Sequence, residues 1–205
     1  MALFTEERLR ARVENQIRKG YSGSIYDSFE SKAKTILSES LNQQRTFSAT
    51  TKTYDIFLSH SSSDAALVAG LKLELEDLGY SVYVDWIEDP KLSRANVTKE
   101  TALVLQARMK QCKVLLYAFS ENATNSKWMS WELGYFDGIK GTVAVLPISR
   151  TNKGSFQGSE YLGIYYYIQI DKLSGTNKTA LWVHETATKY IIFDSWVTGT
   201  QPIQR

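Results

Sequence analysis

The chain has 205 residues, 43% hydrophobic, 22% charged and 12% aromatic, with a formal net charge of +2. Such a composition describes a folded globular domain with an appendage, and so small a charge, without any Lys/Arg block, argues against a nucleic-acid footprint. One cysteine, Cys112, and two histidines, His60 and His184, exclude an internal disulfide framework and a cysteine metal cluster, and argue against a histidine-rich metal site.

Residues Met1 to Arg8 lack the basic-then-apolar layout of a signal peptide. No run reaches the roughly 20 apolar residues of a membrane span. A cytoplasmic protein is therefore expected. Residues 1–45 read as helical and amphipathic. Leu9, Val13 and Ile17 form one stripe, and Ile25, Phe29, Ile36 and Leu41 a second, with Gly20 and Gly23 between them. These helices are expected to pack on the main domain or on a second copy. Interleaved acids and bases argue against a membrane-surface helix. Residues 46–53 are Ser/Thr-rich without a stripe and read as a linker, which divides the chain into 1–45, 46–53 and a main domain at 54–205.

Tyr54–Leu58 is a short apolar run with the character of a buried parallel strand. It ends in the hydroxyl-dense loop Ser59–Asp64, a plausible helix N-cap. Leu67, Val68, Leu71, Leu75 and Leu78 then repeat at helical spacing, and Gly79 is a natural C′ residue. Tyr80–Val84 is a second strand, with Asp85 and Trp86 at its end. A loop punctuated by Pro90 precedes a helix over about 97–111. Lys113–Phe119 is a third strand and Val143–Ile148 a fourth, expected to stop pairing near Pro147. Tyr161–Ile170 is a candidate fifth strand. Leu181–Trp196 carries mixed signals, and its last part is read as helix. The alternation of strand and helix predicts a parallel sheet with helices on both faces. Ligands of such sheets sit at the carboxyl ends of the strands, near the switch point. Ser59–Asp64, Asp85–Trp86 and Ser120–Trp128 all fall there.

Ser126–Gly134 is the stretch with chemistry in it. Glu132 stands in an aromatic-rich run, four residues after Trp128 and three and four before Tyr135 and Phe136. On a helix these share one face. An acid there is costly without a task or a partner. The plainer alternative is an amphipathic helix with core tryptophans and a glutamate turned to water.

Tyr54–Asp64 resembles the first motif of TIR (Toll/interleukin receptor) domains, and Gly79–Asp85 resembles their second, strand-plus-Asp motif. Ser126–Leu133 is similar to the helix that holds the catalytic glutamate in TIR domains that cleave NAD⁺. Three motifs in order are specific where one is not. They cover about residues 53–150 firmly and 151–205 loosely, and the whole looks most like stand-alone bacterial TIR proteins, some of which act in antiphage defence such as the Thoeris systems. The resemblance implies a flavodoxin-like sheet of five parallel strands. It implies that Glu132 is the catalytic acid, that Trp128 lines the nicotinamide pocket, and that Phe57, Ser59 and His60 belong to the loop that contacts nucleotide. Asp85 and Trp86 match the start of the loop that reshapes on TIR–TIR assembly. Its usual Gly-rich turn is here Trp-Ile-Glu-Asp-Pro-Lys-Leu.

The chemistry suits these residues. Nicotinamide leaves as a neutral molecule while positive charge builds on the ribose, as in glycoside hydrolysis. One carboxylate can stabilise that charge without a metal or a bound cofactor. Trp128 offers a flat face to an aromatic ring, and the Ser59–Ser63 hydroxyls near a helix N-terminus suit a pyrophosphate. NAD⁺ is then substrate. Water as acceptor gives ADP-ribose, and an internal nucleophile gives a cyclic form, a signal for a separate effector protein. Bland roles stand beside these: Ser59–Ser63 as caps, His60 as a loop hydrogen-bonder, Asp85 as a structural partner, Trp131 and Cys112 as core. Two other functions remain open, a non-catalytic adaptor working through TIR–TIR contacts and a nucleoside deoxyribosyltransferase-like enzyme.

Overall fold

The computed structural model describes residues 1–20, 24, 26–36, 53–85, 98–158 and 160–205. Trp86 and the loop beyond it to Arg94 lie outside the described residues, as do Gly23, Ile25, Leu41 and linker residues 46–52.

Where helix was expected from the start, the chain opens with a two-residue strand, β1 (Phe4–Thr5), too short to leave a periodic signal. Helix α1 (Glu6–Gly20) follows, with Glu6 and Glu7 in its first turn and Arg18 and Lys19 in its last, as the helix dipole favours. Residues 29–36 form α2. The run of apolar residues at Tyr54–Ser59 is β2. Helix α3 (Ala65–Asp77) ends at Gly79, whose φ of +95° is the left-handed conformation a helix stop requires. Strand β3 shrinks to Val82–Tyr83. Thr98 caps α4 (Lys99–Gln111) by accepting the Thr101 N–H at 3.2 Å. Strand β4 (Cys112–Phe119) leads through a 3₁₀ turn (Ala123–Asn125) into α5 (Lys127–Lys140). Ser126 caps α5 at one end and the left-handed Gly141 closes it at the other.

The parallel strands stand in the order β3-β2-β4-β5-β6, with β5 at Val143–Ser149 and β6 at Tyr166–Lys172. That is the flavodoxin order, whose switch point falls between β2 and β4. The sheet does not stop at five strands. The stretch of mixed signals forms β7 (Thr179–His184) and β8 (Lys189–Ile192), and its last part is helical as expected, in a short helix, α6 (Phe193–Val197), before β9 (Ile203–Gln204). These three strands extend the sheet antiparallel from β6. Pairing of β5 with β4 ends at Pro147, as expected, yet the strand continues because Ile148 and Ser149 pair with Phe4 and Thr5 of β1 on its other side.

Helices cover both faces. On one, Leu9 and Val13 of α1, Ala33 and Ile36 of α2 and the apolar residues of α3 bury Ile56, Leu58, Val114 and Leu116. On the other, Leu105 and Met109 of α4 and Met129, Leu133 and Phe136 of α5 bury Phe57, Leu115, Tyr117 and Val145. The N-terminal helices thus share the core of the sheet. They come so close that a Cβ on Gly70 of α3 would stand 2.2 Å from the Leu9 carbonyl oxygen.

Candidate functional site

Helix α5 presents Met129, Glu132, Leu133 and Phe136 to the sheet, one buried stripe at helical spacing. Three of the four are apolar. The fourth is a carboxylate with 0% of its surface exposed. It meets Ser59, the last residue of β2, whose hydroxyl donates to Glu132 Oε2 at 2.6 Å. Ser59 is equally buried at 0%. The distance is that of a charge-assisted O–H···O⁻ bond, about twice as strong as a neutral one. The strand tip and the helix are therefore locked by one short bond spanning 73 residues of sequence.

Tyr117 of β4 sits opposite Ser59 in the sheet and belongs to the same buried face. Burial pushes its phenol well above the usual tyrosine range, helped by the neighbouring Tyr161 phenol and by the Glu132 carboxylate. Tyr161 in turn shares a hydrogen bond of 2.9 Å with Ser130 of α5. Hydroxyls thus gather beside the acid.

Beside this lies a cleft of about 250 Å³ at the switch point, lined by Ser61–Ser63 after β2 and by Asn122, Asn125, Ser126, Lys127 and Trp128 after β4. Trp128 is half-buried. Trp131 meets it edge to face at 5.1 Å and stacks on Tyr135 at 5.7 Å. The two loops are held together by Asp64, which is 6% exposed. Its Oδ2 accepts the Ser120 hydroxyl at 2.5 Å and its Oδ1 accepts the Asn122 amide at 2.7 Å. Asp64 occupies the N-cap position of α3 but makes no cap bond there. The Ala66 N–H of that first turn is taken by Glu30 of α2, at 2.9 Å. One donor of the helix terminus expected to meet a pyrophosphate is thereby already paired with a carboxylate.

The other expected residues fall as follows. Phe57 is 1% exposed and stacks on Tyr83 at 5.2 Å, within the core. His60, also 1% exposed, donates its Nδ1–H to the Leu58 carbonyl at 2.8 Å and turns Nε2 toward Asp85 Oδ1, 3.6 Å away. Both tie the tip of β2 to its surroundings. Ser59 reaches Glu132, and Trp128 reaches the cleft. Cys112 is buried. Among the described residues no group of three or more His, Cys, Asp or Glu could hold a metal ion, and no helix is long and apolar enough to cross a membrane.

Residues 56–181 match the TIR domain family. The chain belongs to that family. This TIR protein is 44% identical, over 96% of its own length and 98% of the relative's, to the Bacillus cereus (strain MSX-D12) protein named "Probable 3' cyclic ADP-D-ribose synthase ThsB'". It is 31% identical over 104 residues to TIR2 of Cytobacillus dafuensis, a protein named for cyclic ADP-D-ribose synthesis, of which it spans 27%. Patterns in the sequence of this TIR domain bring out Glu132 and Trp128. They miss the bond from Ser59 to Glu132, the Asp64 clasp and the Glu30 cap. The one available signal for the clasp was Asp64 closing a polar loop at one strand tip while Ser120 and Asn122 followed another.

Proposed function

We propose that this TIR protein breaks the bond between nicotinamide and ribose in NAD⁺ and closes the remaining ADP-ribose into a cyclic nucleotide, which serves as a signal for a separate effector in antiphage defence. The observation that carries the reading is Glu132, a carboxylate fixed by Ser59 in the core beneath the switch point, one helical turn from the cleft-lining Trp128. The names of the two relatives support the cyclic product.

In the reaction the C–N bond to nicotinamide breaks and its electron pair leaves with the neutral base. Positive charge gathers on the ribose carbon, and the Glu132 carboxylate stabilises it. Trp128 supplies a flat face to the pyridine ring. Ser61–Ser63 and Lys127, on the facing walls of the cleft, lie toward the phosphates. A hydroxyl of the same molecule then forms the new bond to the ribose carbon and loses its proton. Self-association through TIR–TIR contacts brings the loop that begins at Trp86 to a neighbouring copy.

Incubation of the purified protein with NAD⁺, with products identified by mass, tests the reading. The expected products are nicotinamide and a compound one water lighter than ADP-ribose. Glu132→Ala is expected to lose a hundredfold or more in rate, as removal of a preorganised electrostatic group typically does. Unchanged turnover in that variant would remove the glutamate from the mechanism. Faster cleavage of free nucleosides than of NAD⁺ would point to a deoxyribosyltransferase-like enzyme instead.

A further inference from the structure

A second cavity, of about 640 Å³, opens where β4 and β5 end, between the tip at Phe119–Glu121, the tip at Pro147–Arg150 and the crossover stretch that carries Lys153 and Phe156. The Ala123–Asn125 turn divides it from the Trp128 cleft, with Thr124 lining the cavity and Asn125 the cleft. Its volume falls within the range of about 300–1,000 Å³ typical of small-molecule sites. It also lies at the carboxyl ends of parallel strands, where such folds bind ligands.

Its walls combine two chemistries. Phe119 and Phe156 meet edge to face at 5.5 Å, and both are half-buried, which leaves ring surface toward the cavity. Two cations stand on the same rim. The Arg150 guanidinium is engaged by Glu121 and stands 3.9 Å from Glu6. The Lys153 ammonium has no partner among the described residues. The stretch that carries these groups is tied down on both sides of the sheet edge. Leu3 donates its N–H to the Lys153 carbonyl at 3.1 Å, and the Gln169 side chain donates to the Gly154 carbonyl at 2.8 Å. The cavity is therefore formed before any ligand arrives.

We infer that this cavity is a second ligand site, separate from the Glu132 centre, and that it binds a mononucleotide, with the planar base against Phe156 and Phe119 and the phosphate on Lys153. An apolar ligand would strand the lysine, and an anion without a ring would leave the aromatic wall unused. Among the described residues the only carboxylate that lines the cavity, Glu121, is held by Arg150, so the site is assigned to binding and not to cleavage. None of this depends on NAD⁺ turnover.

The test is calorimetric titration of AMP, adenosine and inorganic phosphate into the full-length protein and into Lys153→Glu, Phe156→Ala and Trp128→Ala variants. AMP is expected to bind with one site per chain. Lys153→Glu, an exposed change that leaves the core untouched, should weaken it about tenfold or more, the value of one hydrogen bond to a charged group. Adenosine should bind as weakly to the parent protein as AMP does to that variant, and Trp128→Ala should leave AMP binding unchanged. Phe156→Ala should weaken AMP and adenosine alike. If that variant unfolds, the lysine and adenosine arms carry the result. Absence of AMP binding, or AMP affinity that falls in Trp128→Ala and not in Lys153→Glu, would overturn the assignment.

Discussion

The bond from Ser59 to Glu132 yields the most demanding prediction. Ser59→Ala removes the hydroxyl that donates to Glu132 Oε2 at 2.6 Å, and both residues are fully buried, so water does not readily replace it. A hydrogen bond to a charged group contributes about 1.5–3 kcal/mol. At about 1.36 kcal/mol per tenfold, the rate of nicotinamide release should fall roughly 10- to 150-fold. The loss should appear in kcat with little change in KM, because in the proposed mechanism the fully buried hydroxyl acts by holding the carboxylate where charge develops.

A double-mutant cycle with Glu132→Gln separates this from a general effect on folding. If the hydroxyl acts through the carboxylate, adding Ser59→Ala to Glu132→Gln should cost less than about threefold, and the coupling energy should nearly equal the whole single-mutant effect. Steady-state assays of the four proteins across a range of NAD⁺ concentrations, which separate kcat from KM, decide the matter. Equal losses from Ser59→Ala in both backgrounds would refute the argument. So would a change confined to KM, which would return Ser59 to the nucleotide-contacting role its loop suggests.

Gly70→Ala is expected to destabilise the protein by about 1–3 kcal/mol, as overpacking does, because the new Cβ would stand 2.2 Å from the Leu9 carbonyl oxygen. Urea midpoints check this, and a gain of about 1 kcal/mol, the usual profit of Gly→Ala in an open helix, would mean that α1 is not seated on α3. The Asp55 carboxyl is pushed up by burial, but the hydrogen bond from Lys113 and the two from Ser81 outweigh that and hold it below its ordinary value of 3.8. A depressed folded-state pKa contributes stability that is complete above the unfolded value and is lost as pH falls through the folded one. Asp55→Asn should therefore flatten the decline in unfolding temperature below about pH 4; an unaltered acid limb would assign that decline to other carboxyls.

How much of this could be read from the residues depended on the distance over which each feature is encoded. The parallel strands were readable because apolar runs such as Lys113–Phe119 and Val143–Ile148 are buried on both faces and carry their own signal. Gly79 marked a helix end because that position needs positive φ. The C-terminal strands were not readable in the same way. Thr179–His184 and Lys189–Ile192 become strands by pairing with β6 and with each other, and the mixed apolar pattern of Leu181–Trp196 suits helix equally well. β1 is held by partners more than 140 positions away. At the site, Glu132 stood out because a charge interrupted an apolar stripe. Its partner did not, since nothing in a run of serines singles out Ser59 as the one that meets an acid.

The burial of Glu132 also separates an enzyme from a docking module. Taking a carboxylate out of water costs several kcal/mol, and the Ser59 hydrogen bond returns only part of it. A protein that only docks gains nothing from that cost, and an uncharged side chain at position 132 would make the same sheet–helix seam more stable. An enzyme accepts it as the ordinary exchange of stability for function. Glu132→Gln keeps the shape and an oxygen to accept the Ser59 hydroxyl while it removes the charge. Its unfolding free energy, from urea titration, should therefore equal or exceed that of the parent protein even as the rate of NAD⁺ cleavage falls about a hundredfold or more. A loss of more than about 2 kcal/mol, on the scale of breaking a buried polar network, would instead make the carboxylate a structural anchor of α5, and its buried position would then say nothing about catalysis.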